Sequence, residues 1–333
     1  MSTAETKIQW TDRTWNPVRG CARVSPGCEH CYAERVAYRF NGEGQPYEGL
    51  TVLGKKGPRW SGEARFIPSA LGEPLKWRKP QRIFVNSMSD LFHDDVTNEQ
   101  IAAVFGVMAA CSQHTFQVLT KRPARMVEWF QWVSGKPGFS NPLQACCMSA
   151  LDFEREHHSR GDAGPLHIDR CADPEGPWPL PNVHLGVSCE NQETANKRIP
   201  VLLQTPAALR FISAEPLLGP VNLTEVGVTL CRDALRVDCE KQGLWHAERH
   251  LDWVIVGGES GSGARPCSSD WIVDLVEQCR RADIACFVKQ LGSYAFGHNN
   301  TRLKDRKGGD MAEWPAELQV RQMPRAAARD AAE

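Results

Sequence analysis

The feature that most constrains the fold of this sequence is a series of short apolar runs, each ending in a polar or glycine-rich segment. The runs are rich in β-branched and aromatic residues, and several precede a stretch with apolar residues at helical spacing. Six such runs lie at residues 82–85, 115–119, 183–187, 209–212, 253–256 and 285–288. The helical stretches cover residues 98–110, 193–203 and 270–282.

Continuous β-rich runs that alternate with helices are typical of a parallel sheet buried on both faces. Six units, with a further strand expected before residue 21, are too many for a small domain. They predict an α/β fold, namely a complete or partial TIM-like (β/α) barrel. The alternative is an open doubly wound sheet. In both folds ligands bind beyond the carboxyl ends of the strands, so the polar segments at those ends form the candidate site.

Two polar stretches without clear periodicity interrupt this pattern, at residues 146–181 and 224–250. We interpret both as insertions in a single barrel domain that covers residues 1–323. Residues 324–333 are expected to form a flexible C-terminal tail.

Composition and charge limit the cellular context of the chain. Its formal net charge is −1, so binding to nucleic acid would need a local basic patch. No apolar run approaches the roughly 18 residues that span a bilayer, and the first residues lack the apolar core of a signal peptide. We therefore expect a cytoplasmic protein with no membrane association. In a reducing compartment most of its 13 cysteines are expected to be free thiols or metal ligands.

Three cysteines near the N-terminus form the most specific motif. Cys21, Cys28 and Cys31 follow the spacing C-x6-C-x2-C, and nearby glycine and proline residues let the loop curl. Three thiolates can hold a four-iron, four-sulfur (4Fe-4S) cluster and leave one iron open to an exchangeable ligand, whereas a structural zinc site normally closes with four ligands. The alternative is a zinc knuckle with His30 or a distant cysteine as fourth ligand.

Polar residues at the other predicted strand ends supply the remaining candidates. Glu215 is a candidate buried acid or hydrogen-bond acceptor, and Lys289 follows the last strand; these two are the candidate catalytic residues. Gly257 and Gly258 allow close approach of a ligand to the backbone, and Glu259 can accept a hydrogen bond from an amine or a ribose hydroxyl. A tight turn without a ligand explains the same residues. The candidate cofactor-binding residues are Asn86, Ser87, Ser89, Lys121, Arg122, Ser188, Glu190, Asn191, Ser213, Gly257, Gly258 and Glu259.

The cysteine loop resembles that of the radical S-adenosylmethionine superfamily, in which three cysteines after the first strand hold a 4Fe-4S cluster. The usual spacing there is C-x3-C-x2-C, so the first gap is longer here. The Gly257-Gly258-Glu259 segment is similar to a superfamily segment that contacts the methionyl amine, but it follows a late strand instead of the second.

The whole chain also resembles an uncharacterised phage- and prophage-associated family. The resemblance extends over most of residues 8–324 and is carried by the Trp15-Asn16-Pro17 entry, the cysteine loop and the segments at 86–92, 119–123, 212–218 and 256–261. It implies a radical S-adenosylmethionine-like enzyme that binds a 4Fe-4S cluster and S-adenosylmethionine and receives electrons from a donor. Spore photoproduct lyase is an analogue at the level of the fold.

Two further groups of residues, one of tryptophans and one of cysteines and histidines, are candidates for binding nucleic acid and a second metal. Trp10, Trp15, Trp60 and Trp77 lie among basic residues and predict either a stacking surface for nucleic acid or tryptophans packed under the barrel. Cys231, Cys239, His246 and His250 resemble the ligand set of a zinc site with loose spacing, but coincidence in a cysteine-rich chain is the favoured explanation.

The sequence thus predicts an enzyme that generates a 5′-deoxyadenosyl radical and acts on an unknown substrate, with nucleic acid or a nucleotide favoured. The alternative function is a non-enzymatic, zinc-binding module that recognises nucleic acid.

Overall fold

The computed structural model describes residues 6–159, 176–226, 233–235, 250–297 and 303–324. Contacts divide the chain into two compact units. The first contains Met1–His184 with Thr205–Ala208, and the second contains Leu185–Gln204 with Leu209–Glu333. No helix in the described part of the chain is long and apolar enough to cross a membrane.

The first unit is built on three parallel strands that precede the candidate ligand-binding segments. Its strands are β1 (Arg13–Trp15), β2 (Val18–Gly20), β3 (Thr51–Gly54), β4 (Gly57–Trp60), β5 (Ala64–Phe66), β6 (Arg82–Val85) and β7 (Thr115–Thr120). Strand β1 pairs with β6, and β6 pairs with β7, in a register that aligns Trp15 with Val85 and Val85 with Val118. Two small antiparallel pairs, β2 with β5 and β3 with β4, lie outside this sheet. The helices are α1 (Tyr32–Tyr38), α2 (Pro68–Leu71), α3 (Asn98–Ala110), α4 (Pro123–Ser134) and α5 (Pro142–Ser159).

Helix α3 forms the centre of the helical layer of this unit. Its start is fixed by a capping box, in which the Thr97 side chain accepts from the Gln100 backbone N–H and the Gln100 side chain accepts from that of Thr97. All residues from Ile101 to Met108 are buried. At Gly106 an added Cβ would lie 2.4 Å from the Cys146 carbonyl oxygen, so glycine allows α5 to approach closely.

Helix α5 corrects the predicted start of the first insertion. The sequence predicts an aperiodic segment from residue 146 onward, but in the structure a helix continues to Ser159. Leu143, Cys146, Cys147 and Ala150 are buried, so this helix is part of the core. Most of the second predicted insertion and most of the C-terminal tail lie outside the described residues.

The second unit repeats the alternation of strand and helix. The strands of this unit are β8 (Val183–Ser188, which begins in the first unit), β9 (Leu209–Ala214), β10 (Trp253–Gly257), β11 (Cys267–Ser268), β12 (Ala285–Gln290) and β13 (Ala295–Phe296). Strand β10 pairs in parallel with β9 on one side and with β12 on the other, and every residue of β9 and β10 is buried. The helices of this unit are α6 (Gln192–Gln204) and α7 (Ser269–Ala282).

The principal sheet contains seven strands in the order β1-β6-β7-β8-β9-β10-β12. This order follows the chain without reversal, whereas a doubly wound sheet reverses its strand order at a switch point. The predicted α/β class is therefore confirmed. The predicted strand before the cysteine loop is present as β1, and all six apolar runs are strands.

Candidate functional site

The three cysteines of the N-terminal loop are free and partly exposed, whereas the other seven cysteines in the described residues are buried. Gly20 leads into the loop with a φ of +88°, and an added Cβ there would lie 2.3 Å from the Glu63 carbonyl oxygen, so only glycine fits. A short 3₁₀ helix over Pro26–Cys28 turns the chain, and Cys31 stands at the N-cap of α1. The local backbone therefore presents three thiols from one compact loop.

A buried ion pair anchors this loop to the ends of β6 and β7. Arg122, which follows β7, donates to Asp90 Oδ2 at 3.1 Å. The same guanidinium lies 3.9 Å from Cys21 Sγ and donates to the Ala22 carbonyl oxygen at 3.2 Å. Asp90 also accepts from Thr120 Oγ1 at 2.7 Å. The structure thus brings Cys21 and Arg122 together, as the strand-end argument predicted.

Asp90 was not among the predicted site residues, although it organises this contact. Beyond Arg122 and Thr120, its carboxylate accepts from the backbone N–H groups of Lys121 and Phe92, both at 3.0 Å. It does not cap α3, because Thr97 performs that role. An acid after one parallel strand and an arginine after the next was the sequence signal that could have identified the pair.

The electrostatic environment of the cysteines combines burial with nearby cations. Burial raises the pKa of Cys21 to about 12; Asp90 adds to the rise and Arg122 opposes it. Burial also raises the pKa of Cys31, opposed by hydrogen bonds from the first backbone N–H groups of α1 and by the positive charge of Lys121. Without a metal these two thiols are therefore protonated at neutral pH, and a metal that binds them must displace protons.

A second contact, between exposed Arg23 and buried Glu34, holds the long gap between Cys21 and Cys28. Arg23 donates from Nε and Nη2 to the two carboxylate oxygens of Glu34, at 2.8 and 2.6 Å. Glu34 is 1% exposed and also accepts from the Trp60 backbone N–H at 3.0 Å. The hydrogen bond to Glu34 raises the pKa of Arg23. Arg23, Lys121 and Arg122 therefore place positive charge around the loop.

The segment after β6 packs against the chain that enters the loop. Ser89 Oγ donates to the Val18 carbonyl oxygen at 2.8 Å, and Ser87 Oγ donates to Asn16 Oδ1 at 3.2 Å. Asn86 adopts a left-handed backbone with a φ of +59° and is buried. Its Oδ1 accepts from the Val18 N–H at 3.4 Å, but its Nδ2 has no partner among the described residues. A strained, buried amide with an unsatisfied donor is the kind of group that a ligand completes.

In the second unit, the structure joins the two candidate catalytic residues. Lys289 Nζ donates to Glu215 Oε1 at 2.5 Å, and both side chains are about one-fifth exposed, at 21% and 18%. Ser188 and Ser213 are buried; the Ser188 carbonyl accepts from Arg198, and the Ser213 carbonyl accepts from the Cys189 N–H.

The other candidates of the second unit have structural partners within the protein. Glu190 is fully buried and accepts from Arg198 Nη1 at 3.0 Å, and Asn191 Oδ1 accepts from the Thr194 N–H at the start of α6. Glu259 accepts from the backbone N–H, Nε and Nη2 of Arg265. Their roles as ligand-binding residues stay predictions.

The glycines of the late Gly-Gly-Glu segment are explained by backbone packing. An added Cβ at Gly258 would lie 2.2 Å from the Leu291 carbonyl oxygen, and at Gly257 it would lie 3.1 Å from that of Gln290. This close approach of the chain to itself agrees with the tight-turn interpretation.

The predicted tryptophan surface is wrong. Trp10, Trp15 and Trp60 are buried, and Trp77 is partly buried with the Arg13 guanidinium 5.1 Å from its ring centre. These indoles are apolar core groups, so the packing interpretation holds. Of the candidate second metal site only His250 belongs to the described residues, where its Nε2 lies 3.5 Å from Asp252 Oδ1.

The cysteine loop supplies soft sulfur donors. No cluster of three or more histidine, cysteine or acidic side chains in the described residues is arranged to hold a single metal ion. A 4Fe-4S cluster binds each cysteine at a different iron, and the three thiols match such a cluster in donor type. The unsatisfied Asn86 amide lies beside Val18 in the chain that enters the loop.

Comparisons with known proteins give one match. The model of a family described as "Protein of unknown function (DUF5131)" matches residues 5–319. No curated protein and no solved structure matches the chain.

Proposed function

The chain belongs to the family described as "Protein of unknown function (DUF5131)", and we propose that it is an iron–sulfur enzyme of the radical S-adenosylmethionine type. In this proposal Cys21, Cys28 and Cys31 hold a 4Fe-4S cluster, and the substrate is nucleic acid or a nucleotide. The proposed scaffold is a partial, TIM-like β/α barrel, and the strand order, which follows the chain, supports it.

The observation that carries the proposal is the anchored cysteine loop. Three cysteines without disulfide partners occupy one loop, where each residue is partly exposed but burial of the Cys21 and Cys31 thiols raises their pKa. Arg122 at the end of β7 contacts Cys21 Sγ at 3.9 Å. Cysteines that serve only packing do not need such a charged anchor.

The residues around the loop have distinct roles in the proposal. When bound, the cluster supplies an electron that reductively cleaves S-adenosylmethionine to methionine and a 5′-deoxyadenosyl radical. Arg122 orients Cys21 and offsets negative charge, and Lys121 provides a second cation. Asn86 Nδ2 is the unsatisfied donor available to a carboxylate of the cofactor. Ser87 and Ser89 act as positioning residues, because both hydroxyls are bonded to the chain that leads into the loop.

Glu215 and Lys289 form the proposed acid–base pair of the second unit. The ammonium donates to Oε1, and both side chains are partly exposed, so a substrate group can reach the pair. Such a pair can hold a proton at Nζ and return it to a substrate atom.

Anaerobic purification tests the cofactor. We expect a coloured protein with about four irons per chain, matching acid-labile sulfide and the broad visible absorbance of iron–sulfur clusters. Cys28→Ala is expected to abolish the cluster, whereas Cys279→Ala, at a buried cysteine outside the loop, is the matched control and should keep it. Colourless protein with stoichiometric zinc would instead support the zinc-binding recognition module.

Turnover provides the second test. The dithionite-reduced protein, in place of its natural electron donor, should release 5′-deoxyadenosine from S-adenosylmethionine, and Asn86→Ala should weaken cofactor binding while the iron content is kept. An intact cluster that never cleaves S-adenosylmethionine would contradict the enzymatic proposal.

A further inference from the structure

The exposed apolar side chains of this protein are concentrated next to the cysteine loop. Apart from Tyr294 and Phe296, every exposed large hydrophobic residue in the described ranges lies between residues 24 and 53. The most exposed are Leu53 at 69%, Tyr32 at 52% and Phe40 at 47%. Exposed apolar groups scattered singly need no explanation, but a concentration of them indicates a binding surface.

Helix α1 presents one face of this surface. Ala33 and Ala37 are buried against Leu50, Trp60 and Met88, which fixes the inward side of the helix. Helical periodicity then turns Tyr32, Arg35, Val36 and Arg39 outward. Tyr38 and Phe40 are also exposed at the C-terminal end of α1.

The hairpin of β3 and β4 continues the surface. Helix α1 packs against both strands, and the Asn41 side chain bonds in both directions to the Thr51 backbone. Val52 lies opposite Arg59 in the antiparallel register, so their side chains share one face. Both are exposed, as are Lys55 and Lys56 in the turn.

Five cations lie on this surface: Arg35 is half-buried, and Arg39, Lys55, Lys56 and Arg59 are exposed. Within the described residues, none of the five forms an ion pair with a carboxylate, in contrast to Arg280 and Arg281 of α7, which both pair with Glu277. The loop between α1 and β3 carries two exposed acids, Glu43 and Glu48, so the excess of positive charge is confined to α1 and the hairpin. Unpaired cations interleaved with exposed aromatic rings suit a polyanion with unstacked bases, whereas a duplex keeps its bases stacked and out of reach of these rings.

We infer that the aromatic–basic surface, formed by the outer face of α1, Tyr38, Phe40 and the β3–β4 hairpin, binds single-stranded nucleic acid. Phosphates contact the five cations, and bases stack on the exposed rings. Tyr32 directly follows Cys31 and donates to the Ser87 carbonyl oxygen at 2.7 Å, so the surface reaches the cysteine loop. The inference identifies the substrate class of the proposed enzyme and rests on that proposal for its catalytic meaning; the binding itself does not depend on it.

Fluorescence anisotropy with labelled single-stranded DNA and RNA of about 20 nucleotides tests the surface. We expect the purified full chain to bind single strands, with a duplex of the same sequence as a poor competitor. Tyr38→Ala with Phe40→Ala should weaken binding on the order of tenfold or more. Arg39→Gln with Lys55→Gln and Lys56→Gln should reduce the slope of log affinity against log salt by about 2.

A control of matched composition uses exposed residues of the second unit, Tyr294→Ala with Lys304→Gln and Lys307→Gln. Its affinity should equal that of the unaltered protein. The inference is overturned if single strands do not bind, if a duplex binds equally well, or if the control loses as much affinity as the surface variants. A protein partner captured by this surface without affinity for single strands would also overturn it.

The Cys28→Ala variant separates this inference from the proposed function. It should lose the iron cluster and keep the affinity for single strands. Retained cleavage of S-adenosylmethionine without nucleic-acid binding would refute only the binding surface, whereas binding without iron in the unaltered protein would refute only the enzyme.

Discussion

The ion pair between Arg122 and Asp90 gives the sharpest prediction about stability. The two side chains are only 9% and 7% exposed. Asp90 accepts four hydrogen bonds, from Arg122 Nη1 at 3.1 Å, Thr120 Oγ1 at 2.7 Å, and the backbone N–H groups of Lys121 and Phe92 at 3.0 Å each. Asp90→Ala removes the acceptor of all four donors and leaves the guanidinium buried beside Cys21.

The expected magnitudes differ between the two partners. Removing one member of a buried pair costs about 3–5 kcal/mol of unfolding free energy, because the remaining charge is uncompensated. Asp90→Ala should fall at the upper end, since three further donors also lose their acceptor at about 1 kcal/mol each. Arg122→Met leaves the carboxylate with three donors and keeps an apolar stem in place, so we expect a loss of about 2 kcal/mol.

Urea unfolding followed by tryptophan fluorescence measures the loss of unfolding free energy in both variants, compared at the same dependence of that free energy on urea concentration. Glu193→Ala, which removes an exposed helical ion pair with Lys197, is the control and should leave the unfolding free energy almost unchanged. If Arg122→Met proves as costly as Asp90→Ala, the carboxylate is not the centre of the network and the reasoning fails.

Three further predictions concern single positions. Gly106→Ala should destabilise by about 1–3 kcal/mol despite the better helix propensity of alanine, because its Cβ would lie 2.4 Å from the Cys146 carbonyl oxygen; an unchanged melting temperature would contradict this packing. Burial lowers the pKa of His184 from 6.5 to about 4, so the unfolded chain binds its proton first as the pH falls. The stability due to neutral His184 should therefore be complete above pH 6.5 and decline towards pH 4, and His184→Gln should make the decline shallower in unfolding curves at several pH values. Asn86→Gly suits the left-handed backbone and removes an unsatisfied amide, so it should change the unfolding free energy by less than about 1 kcal/mol. The same substitution should weaken S-adenosylmethionine binding, as measured by calorimetry. An affinity equal to that of the unaltered protein would exclude the amide from the site.

Local patterns in the sequence were enough to predict the strands of the principal sheet and helices α3, α6 and α7, whereas α4 and α5 were not predicted. Buried parallel strands are continuously apolar, so β6, β9 and β10 stand out from their surroundings, and α3 was predicted with its exact limits. Helix α5 was missed because the assumed insertion began inside it. Its buried positions 143, 146, 147 and 150 follow helical spacing, but dividing them at residue 146 hid the period.

The site was predictable only where its residues are near in sequence. The cysteine loop and the residues after β7 were identified from their types and positions. The Asp90–Arg122 pair joins residues 32 positions apart, so it could be predicted only from the expected adjacency of β6 and β7 and not from the local pattern around either residue. Proximity to basic residues in sequence does not tell which way an indole points, so the sequence left a tryptophan surface and tryptophan packing as alternatives. Trp15 lies in the core, and among the described residues the exposed rings are Tyr32, Tyr38, Phe40, Tyr294 and Phe296.

The contact between Arg23 and Glu34 orders the long gap of the cysteine loop before any metal binds. Because Glu34 is buried and also bonded to the Trp60 backbone, it restrains the middle of the loop by contacts that need no metal. Ordering a free loop costs about 1–2 kcal/mol for each residue, and a motif that folds only around its metal meets that cost from the binding energy. Here folding of the first unit already meets much of it. For the proposed cluster, the additional residues of the gap would therefore preorganise the site, and a chelator should remove the metal without unfolding the domain around it.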